Sequence, residues 1–137
     1  MVVTGILADI NTQGQMYILL QVWQSAEWRE IWESLNLAVH TFASLGLDRA
    51  TADDVIWHVC QAREIVLLTA NRNDDGPTSL EATIRGHNTA QSLPVFTFAD
   101  ARRIQREGGY AARVAIKLLE HFLDIDGVRG AGRLFVP

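Results

Sequence analysis

The sequence predicts an α/β fold of three layers, a mostly parallel sheet of four or five strands flanked by helices. Three observations carry that prediction. Short apolar, β-branched runs recur along the chain, segments with helical spacing of apolar residues separate them, and polar turn chemistry closes most runs. Strands alternating with helices in this way build βαβ units and a parallel sheet. At 137 residues and 15.3 kDa the chain has the length of one domain, residues 1–137.

The first run, Ile6-Leu7-Ala8, ends at Asp9, and Asn11-Thr12-Gln13-Gly14 follows as turn chemistry. From Met16 the apolar residues fall at Leu19, Leu20 and Trp23, which is helical spacing. Ser25 is placed to cap a second helical piece with Glu27 and Glu30 in its first turn and Trp28, Ile31, Trp32 and Leu35 on its face. Leu37 to Phe42 reads as the second strand, and Ser44 to Asp48 as a loop. Thr51 is the expected cap of the next helix, with Asp54 completing a variant capping box and Val55, Ile56, Val59 and Cys60 on the apolar face.

Ile65-Val66-Leu67-Leu68-Thr69 is a continuous aliphatic run and the clearest buried strand. Asn71 to Pro77 breaks the pattern, and Thr78 or Ser79 caps a short helix reaching about His87. Val95-Phe96-Thr97-Phe98 is the fourth strand, and Asp100 to Gly109 a loop or short helix. Tyr110, Val114, Ala115, Leu118, Leu119 and Phe122 form an amphipathic helix. The glycine-containing tail from Gly127 ends in Leu134-Phe135-Val136, which either adds an edge strand or docks on the core.

Composition narrows the function classes. With 48% apolar and 20% charged residues the chain has the makeup of a folded soluble domain. A single cysteine, Cys60, excludes an intrachain disulfide and points to a reducing, cytoplasmic setting. No apolar run approaches a membrane span, and the N-terminal residues lack the basic start of a signal peptide. The net charge of −4 is unevenly distributed. Residues 1–84 hold 4 basic and 11 acidic side chains, residues 85–137 hold 8 and 5, and every cation but Lys117 is arginine. This acidity argues against a protein that coats duplex nucleic acid, while an acidic pocket beside a basic rim suits a metal nuclease.

In an open parallel sheet, right-handed crossovers gather the loops at the carboxyl ends of the strands, and ligands bind at that edge. The polar residues there are Asp9 and Asn11 after the first strand and Thr69, Asn71, Asn73, Asp74 and Asp75 at and after the third. Asp53, at the start of a helix, can point to the same edge. Plainer roles stay open for each: Asp9 as a turn residue, Asp53 and Asp54 as first-turn acids favoured by the helix dipole, Asn71 to Asp75 as a turn. Glu81 reads first as part of a helix start and can also face the pocket. Glycine-rich phosphate loops and a nucleophile elbow are absent. Cys60 reads as core, and His40, His58, His87 and His121 make no ligand-spaced pair. Gly130-Ala131-Gly132-Arg133 reads as a flexible turn.

Three segments resemble the PIN-like domain family, of the small bacterial uncharacterised subgroup. They are Leu7-Ala8-Asp9, Leu45-Gly46-Leu47 followed by Ala52-Asp53-Asp54-Val55-Ile56, and Ile65 to Asn73, with the Asp53-to-Thr69 spacing kept. The resemblance covers residues 5 to about 100, and the last helix is compatible with it. It implies an acidic pocket that binds Mg²⁺ or Mn²⁺ and cleaves RNA with a metal-activated water. By that resemblance Asp9, Asp53 and Asn71 are the catalytic candidates. Asp9, Asp53, Asn71, Asn73 and Asp74 are the metal candidates, and Asn11, Thr69 and Arg72 the substrate contacts. The sequence departs from the family where a Thr-x-Asp-x-Asp run is expected: Thr69-Ala70-Asn71-Arg72-Asn73 carries amides in place of both acids. An amide oxygen still suits a hard cation but brings no charge. The expected functions are therefore a divalent-metal-dependent ribonuclease, toxin-like or RNA-processing, or a catalytically degenerate PIN-like binding module. RNA, a protein partner such as an antitoxin, and a second copy of the chain are the expected partners. The homodimer rests on small size and a tryptophan-rich first half.

Overall fold

In the computed structural model, which describes residues 2–72 and 76–137, the chain forms a five-stranded, all-parallel sheet between two helical layers. The strands are β1 (Gly5–Ala8), β2 (Ala38–His40), β3 (Ile65–Thr69), β4 (Val95–Phe98) and β5 (Arg133–Val136), in the order β2-β1-β3-β4-β5. The helices are α1 (Gln13–Trp23), α2 (Arg29–Leu35), α3 (Asp53–Ala62), α4 (Leu80–His87), α5 (Ala101–Arg106) and α6 (Gly108–Leu123). Short 3₁₀ turns occupy Ala43–Leu45 and Ile125–Val128.

The central strands are buried on both sides, so successive residues feed opposite cores. Ile6, Ala8, Val66, Leu68, Phe96 and Phe98 face the layer formed by α1, α2, α5 and α6. Leu7, Ile65, Leu67 and Val95 face α3 and α4. On the first face Trp23 and Trp32 stack with ring centroids 4.7 Å apart, and the Trp23 indole N–H donates to the Ala115 carbonyl at 2.8 Å. Trp57 is buried on the inward face of α3 and Trp28 is half-buried against the first core. The tryptophans thus fill the interior and form no exposed face, which removes one of the two grounds for expecting a homodimer.

The connections follow the right-handed rule less uniformly than expected. The β3–β4 and β4–β5 connections step in the same direction across the sheet. The first runs through α4 on one face, and the second through α5 and α6 on the other. The β4–β5 crossover therefore has the opposite hand to the other three. What holds it there is apolar burial: Ile104, Val114, Ala115, Leu118, Leu119 and Phe122 join the core already built by α1 and α2.

Several local expectations are corrected, and others resolve to one of their alternatives. Ser25 and Thr51 do not cap helices; their hydroxyls donate to the Val22 and Asp48 carbonyls, and α3 starts from Ala52. Ser79 rather than Thr78 caps α4, accepting the Ala82 N–H at 3.2 Å. The second strand is shorter than Leu37–Phe42 and is an exposed edge. On α3 the inward face is Ile56, Trp57 and Cys60, while Val55 is 45% exposed. Asp100 to Gly109 resolves into α5, capped by Asp100, and the start of α6. The tail takes the edge-strand alternative as β5. No helix among the described residues is long and apolar enough to cross a membrane.

Candidate functional site

The strand order decides where a ligand can sit. From β1 the chain crosses to β2 on one side, then returns past β1 to β3 on the other. The loops leaving β1 and β3 therefore diverge and open a crevice at the carboxyl end of the sheet, the usual ligand position for this strand order. An open cleft of about 470 Å³ lies there, and Asp9, Asn11, Arg49, Thr51, Asp53 and Asn71 supply its polar lining. Ile10, Phe42 and Ile56 form its apolar wall.

Asp9 follows β1 directly, and its carboxylate is held on two sides. Oδ1 accepts the Asn11 backbone N–H at 2.8 Å, an Asx turn, and Oδ2 accepts the Thr69 hydroxyl. Thr69 is buried at the end of β3, and its Oγ1 also accepts the Asn71 N–H at 2.9 Å. One threonine thus ties the β1 loop to the β3 loop. Its hydroxyl is occupied in orienting Asp9, so Thr69 acts as a positioning residue here and not as a surface open to substrate. Asp53 reaches the cleft from the first turn of α3, and its Oδ2 accepts the Asn71 amide N–H at 2.9 Å. It lies in the first turn of α3, at the positive end of the helix dipole. Asp54 turns aside and accepts the Val55 N–H.

Of the residues singled out from sequence, Asp9, Asn11, Asp53 and Asn71 come together in the cleft. Arg72 does not line it. Its Nη2 donates to the Phe98 and Ala99 carbonyls at 3.2 and 2.6 Å, and its guanidinium lies 5.1 Å from the Phe135 ring centre. The expected substrate contact is thus a brace between the β3 loop and the end of β4. Asn73, Asp74 and Asp75 lie outside the described residues. Glu81 points to Arg133 rather than into the cleft, its Oε2 2.8 Å from Nη2.

Two arginines were missed by sequence reasoning. Arg49 is exposed on the loop before α3 and contributes the cleft's positive charge. Arg133, read as part of a flexible turn, runs its side chain beneath the β3 loop, only 9% exposed. Nη1 donates to the Asn71 carbonyl at 2.8 Å and to Thr97 Oγ1 at 2.6 Å. No local signal marks either residue: Arg49 reaches the cleft only because the loop before α3 folds over it, and the partners of Arg133 are 36 to 62 residues away in sequence.

The oxygen donors lining the cleft are two carboxylates, the amides of Asn11 and Asn71 and the Thr51 hydroxyl, all hard oxygen chemistry. Among the described residues, no group of three or more His, Cys, Asp or Glu side chains is placed to hold a metal ion. Asp9, Asp53 and Asn71 are of the residue types that suit a hard cation such as Mg²⁺ or Mn²⁺, which binds through one or two carboxylates and keeps several waters. No family model, curated protein or solved structure matches the chain.

Proposed function

We propose that the protein is a divalent-metal-dependent phosphodiesterase acting on RNA, working from the crevice between β1 and β3 in the manner of a PIN-like domain. The observation that carries this reading is the convergence of Asp9 and Asp53, from separate elements, on one open cleft that also contains Arg49. Asp9 and Asp53, with the Asn71 amide, are the residues that would hold Mg²⁺ or Mn²⁺. Such an ion lowers the pKa of a bound water and offsets charge growing on phosphoryl oxygens.

The chain's own residues do the remaining work. Thr69 and the Asn11 N–H fix the Asp9 carboxylate, so its orientation needs no reorganisation when a cation arrives. The Asn71 amide fixes Asp53 in the same way. Arg49, exposed at the rim, offers a planar guanidinium to a phosphate. Ile10, Phe42 and Ile56 give an apolar wall against which a sugar or base can lie.

One observation favours a second reading, a PIN-like module that binds without cleaving. The position where a further acid is expected is an amide, and that amide donates to Asp53, spending part of the cleft's negative charge internally. Calorimetric titration of Mn²⁺ into metal-free protein, beside Asp9→Ala, separates the two. Saturable binding lost in the variant, followed by RNA cleavage lost in Asp9→Asn, is expected of the enzyme. Binding without cleavage supports the module. The absence of saturable binding up to millimolar Mn²⁺ rejects metal chemistry at this cleft.

A further inference from the structure

We infer that the outer surface of α3 and α4 carries a second, chemically different metal site, a pair of imidazoles from His58 and His87 suited to Cu²⁺, Ni²⁺ or Zn²⁺. The residues are 29 positions apart in sequence and show no ligand spacing, but the packing of α3 on α4 brings their rings to 4.9 Å between centroids, edge to face. Both side chains belong to exposed residues, and neither makes a hydrogen bond among the described residues. Two imidazoles binding one ion through bonds of about 2.0–2.1 Å place their nitrogens roughly 3 Å apart. The 4.9 Å between the ring centroids is compatible with that separation once the rings turn out of their edge-to-face arrangement.

The donor chemistry sets the class of ion. Imidazole nitrogen suits borderline first-row metals and discriminates against Mg²⁺, which prefers oxygen. The cleft near Asp9 has the reverse preference, so the two sites select different ions. Two protein ligands leave the remaining positions to water, which makes this an exchangeable site and not a closed structural one. Its mechanical consequence follows from the elements it joins. α3 begins at Asp53 and α4 follows the loop that starts at Asn71. An ion shared by His58 and His87 therefore clamps α3, which brings Asp53 and Ile56 to the cleft, onto α4.

Trp57 gives the site its own reporter. Its buried indole has its ring centre 5.0 Å from that of His58 and 6.4 Å from that of His87, whereas Trp23 and Trp32 belong to the core across the sheet. Titrating Cu²⁺ into the protein while following tryptophan emission should give saturable, partial quenching in the micromolar range. Millimolar Mg²⁺ should not reverse it. His58→Ala and His87→Ala should each raise the half-saturation concentration at least tenfold, with His40→Ala and His121→Ala unchanged. Saturating Zn²⁺ should raise the melting temperature of the wild type and not of either site variant. Titrations of His58→Ala or His87→Ala that overlay the wild type would overturn the assignment. So would quenching that fails to saturate below millimolar Cu²⁺. Neither result bears on Mn²⁺ at the Asp9 cleft.

Discussion

Replacing Arg133 with methionine keeps the aliphatic stem and removes the guanidinium, and the structure gives the cost. Three interactions go: the hydrogen bonds to the Asn71 carbonyl and Thr97 Oγ1, and the ion pair with Glu81. Thr97 is fully buried, so its hydroxyl loses a charged donor where water cannot replace it. Removing one member of a buried pair costs ~3–5 kcal/mol. The Glu81 side chain is 33% exposed, and water recovers part of its share, which brings the expected loss to the lower end, about 3 kcal/mol. At ~2.1 cal/mol/K per residue, the unfolding entropy of this chain is ~0.3 kcal/mol/K, so the melting temperature should fall by ~10 °C.

Urea unfolding followed by tryptophan emission measures this loss, with circular dichroism to check that the native fold is kept. The same measurement on Glu81→Gln and on the double variant gives the coupling. The two single losses should exceed the double loss by ~1–3 kcal/mol, because the second removal no longer strands a charge. Because Arg133 holds the Asn71 carbonyl, Mn²⁺ affinity should fall in Arg133→Met as well. A destabilisation below ~1 kcal/mol, or strict additivity with Glu81→Gln, would refute the role given to this side chain.

Four other outcomes are expected. Thr69→Val should cost ~1–3 kcal/mol, since it removes the acceptor of the Asn71 N–H and the hydroxyl that holds the Asp9 carboxylate, and should weaken Mn²⁺ binding more than it weakens folding; equal Mn²⁺ isotherms would argue against positioning by Thr69. Gly5→Ala should destabilise by ~1–3 kcal/mol in urea, because a Cβ there meets the Ala38 carbonyl at 2.6 Å and the His40 ring at 2.7 Å. Arg129→Met should cost ~3 kcal/mol by the same measurement, since it breaks a pair with Glu64 at 2.8 Å in which both side chains are 15% exposed or less. Burial pushes the Cys60 thiol up to about 12, so its thiolate is scarce at pH 8; an aromatic disulfide reagent should label it slowly in the native protein and at once in urea, and fast native labelling would contradict the packing of α3.

The strand-and-helix alternation was legible because it is written locally. Ile65 to Thr69 reads as a strand since every residue is buried, and α6 reads as a helix since its apolar residues share one stripe. The positions of Asp9 and Asn71 at strand ends were legible for the same reason. Helix caps were less so: Ser25 and Thr51 have the right chemistry, but nearby carbonyls claimed their hydroxyls. On α3 the choice between Val55 and Trp57 as the inward residue depended on how the helix is rotated on the sheet. Periodicity alone leaves that angle open when apolar residues surround the helix.

By itself, then, the sequence determined the elements, their parallel character and the acidic and amide groups at the strand ends. The elements and the strand-end groups depend on interactions within a few residues, and the parallel character follows from their alternation. Tertiary structure alone decided that β1 and β3 are neighbours, which joins Asp9 to Thr69 and opens the cleft. It also decided the unusual hand of the β4–β5 crossover, the burial of Arg133 beneath the β3 loop, and the meeting of His58 with His87. These contacts join residues that are distant in sequence, and their geometry is fixed when two cores close on opposite faces of one sheet.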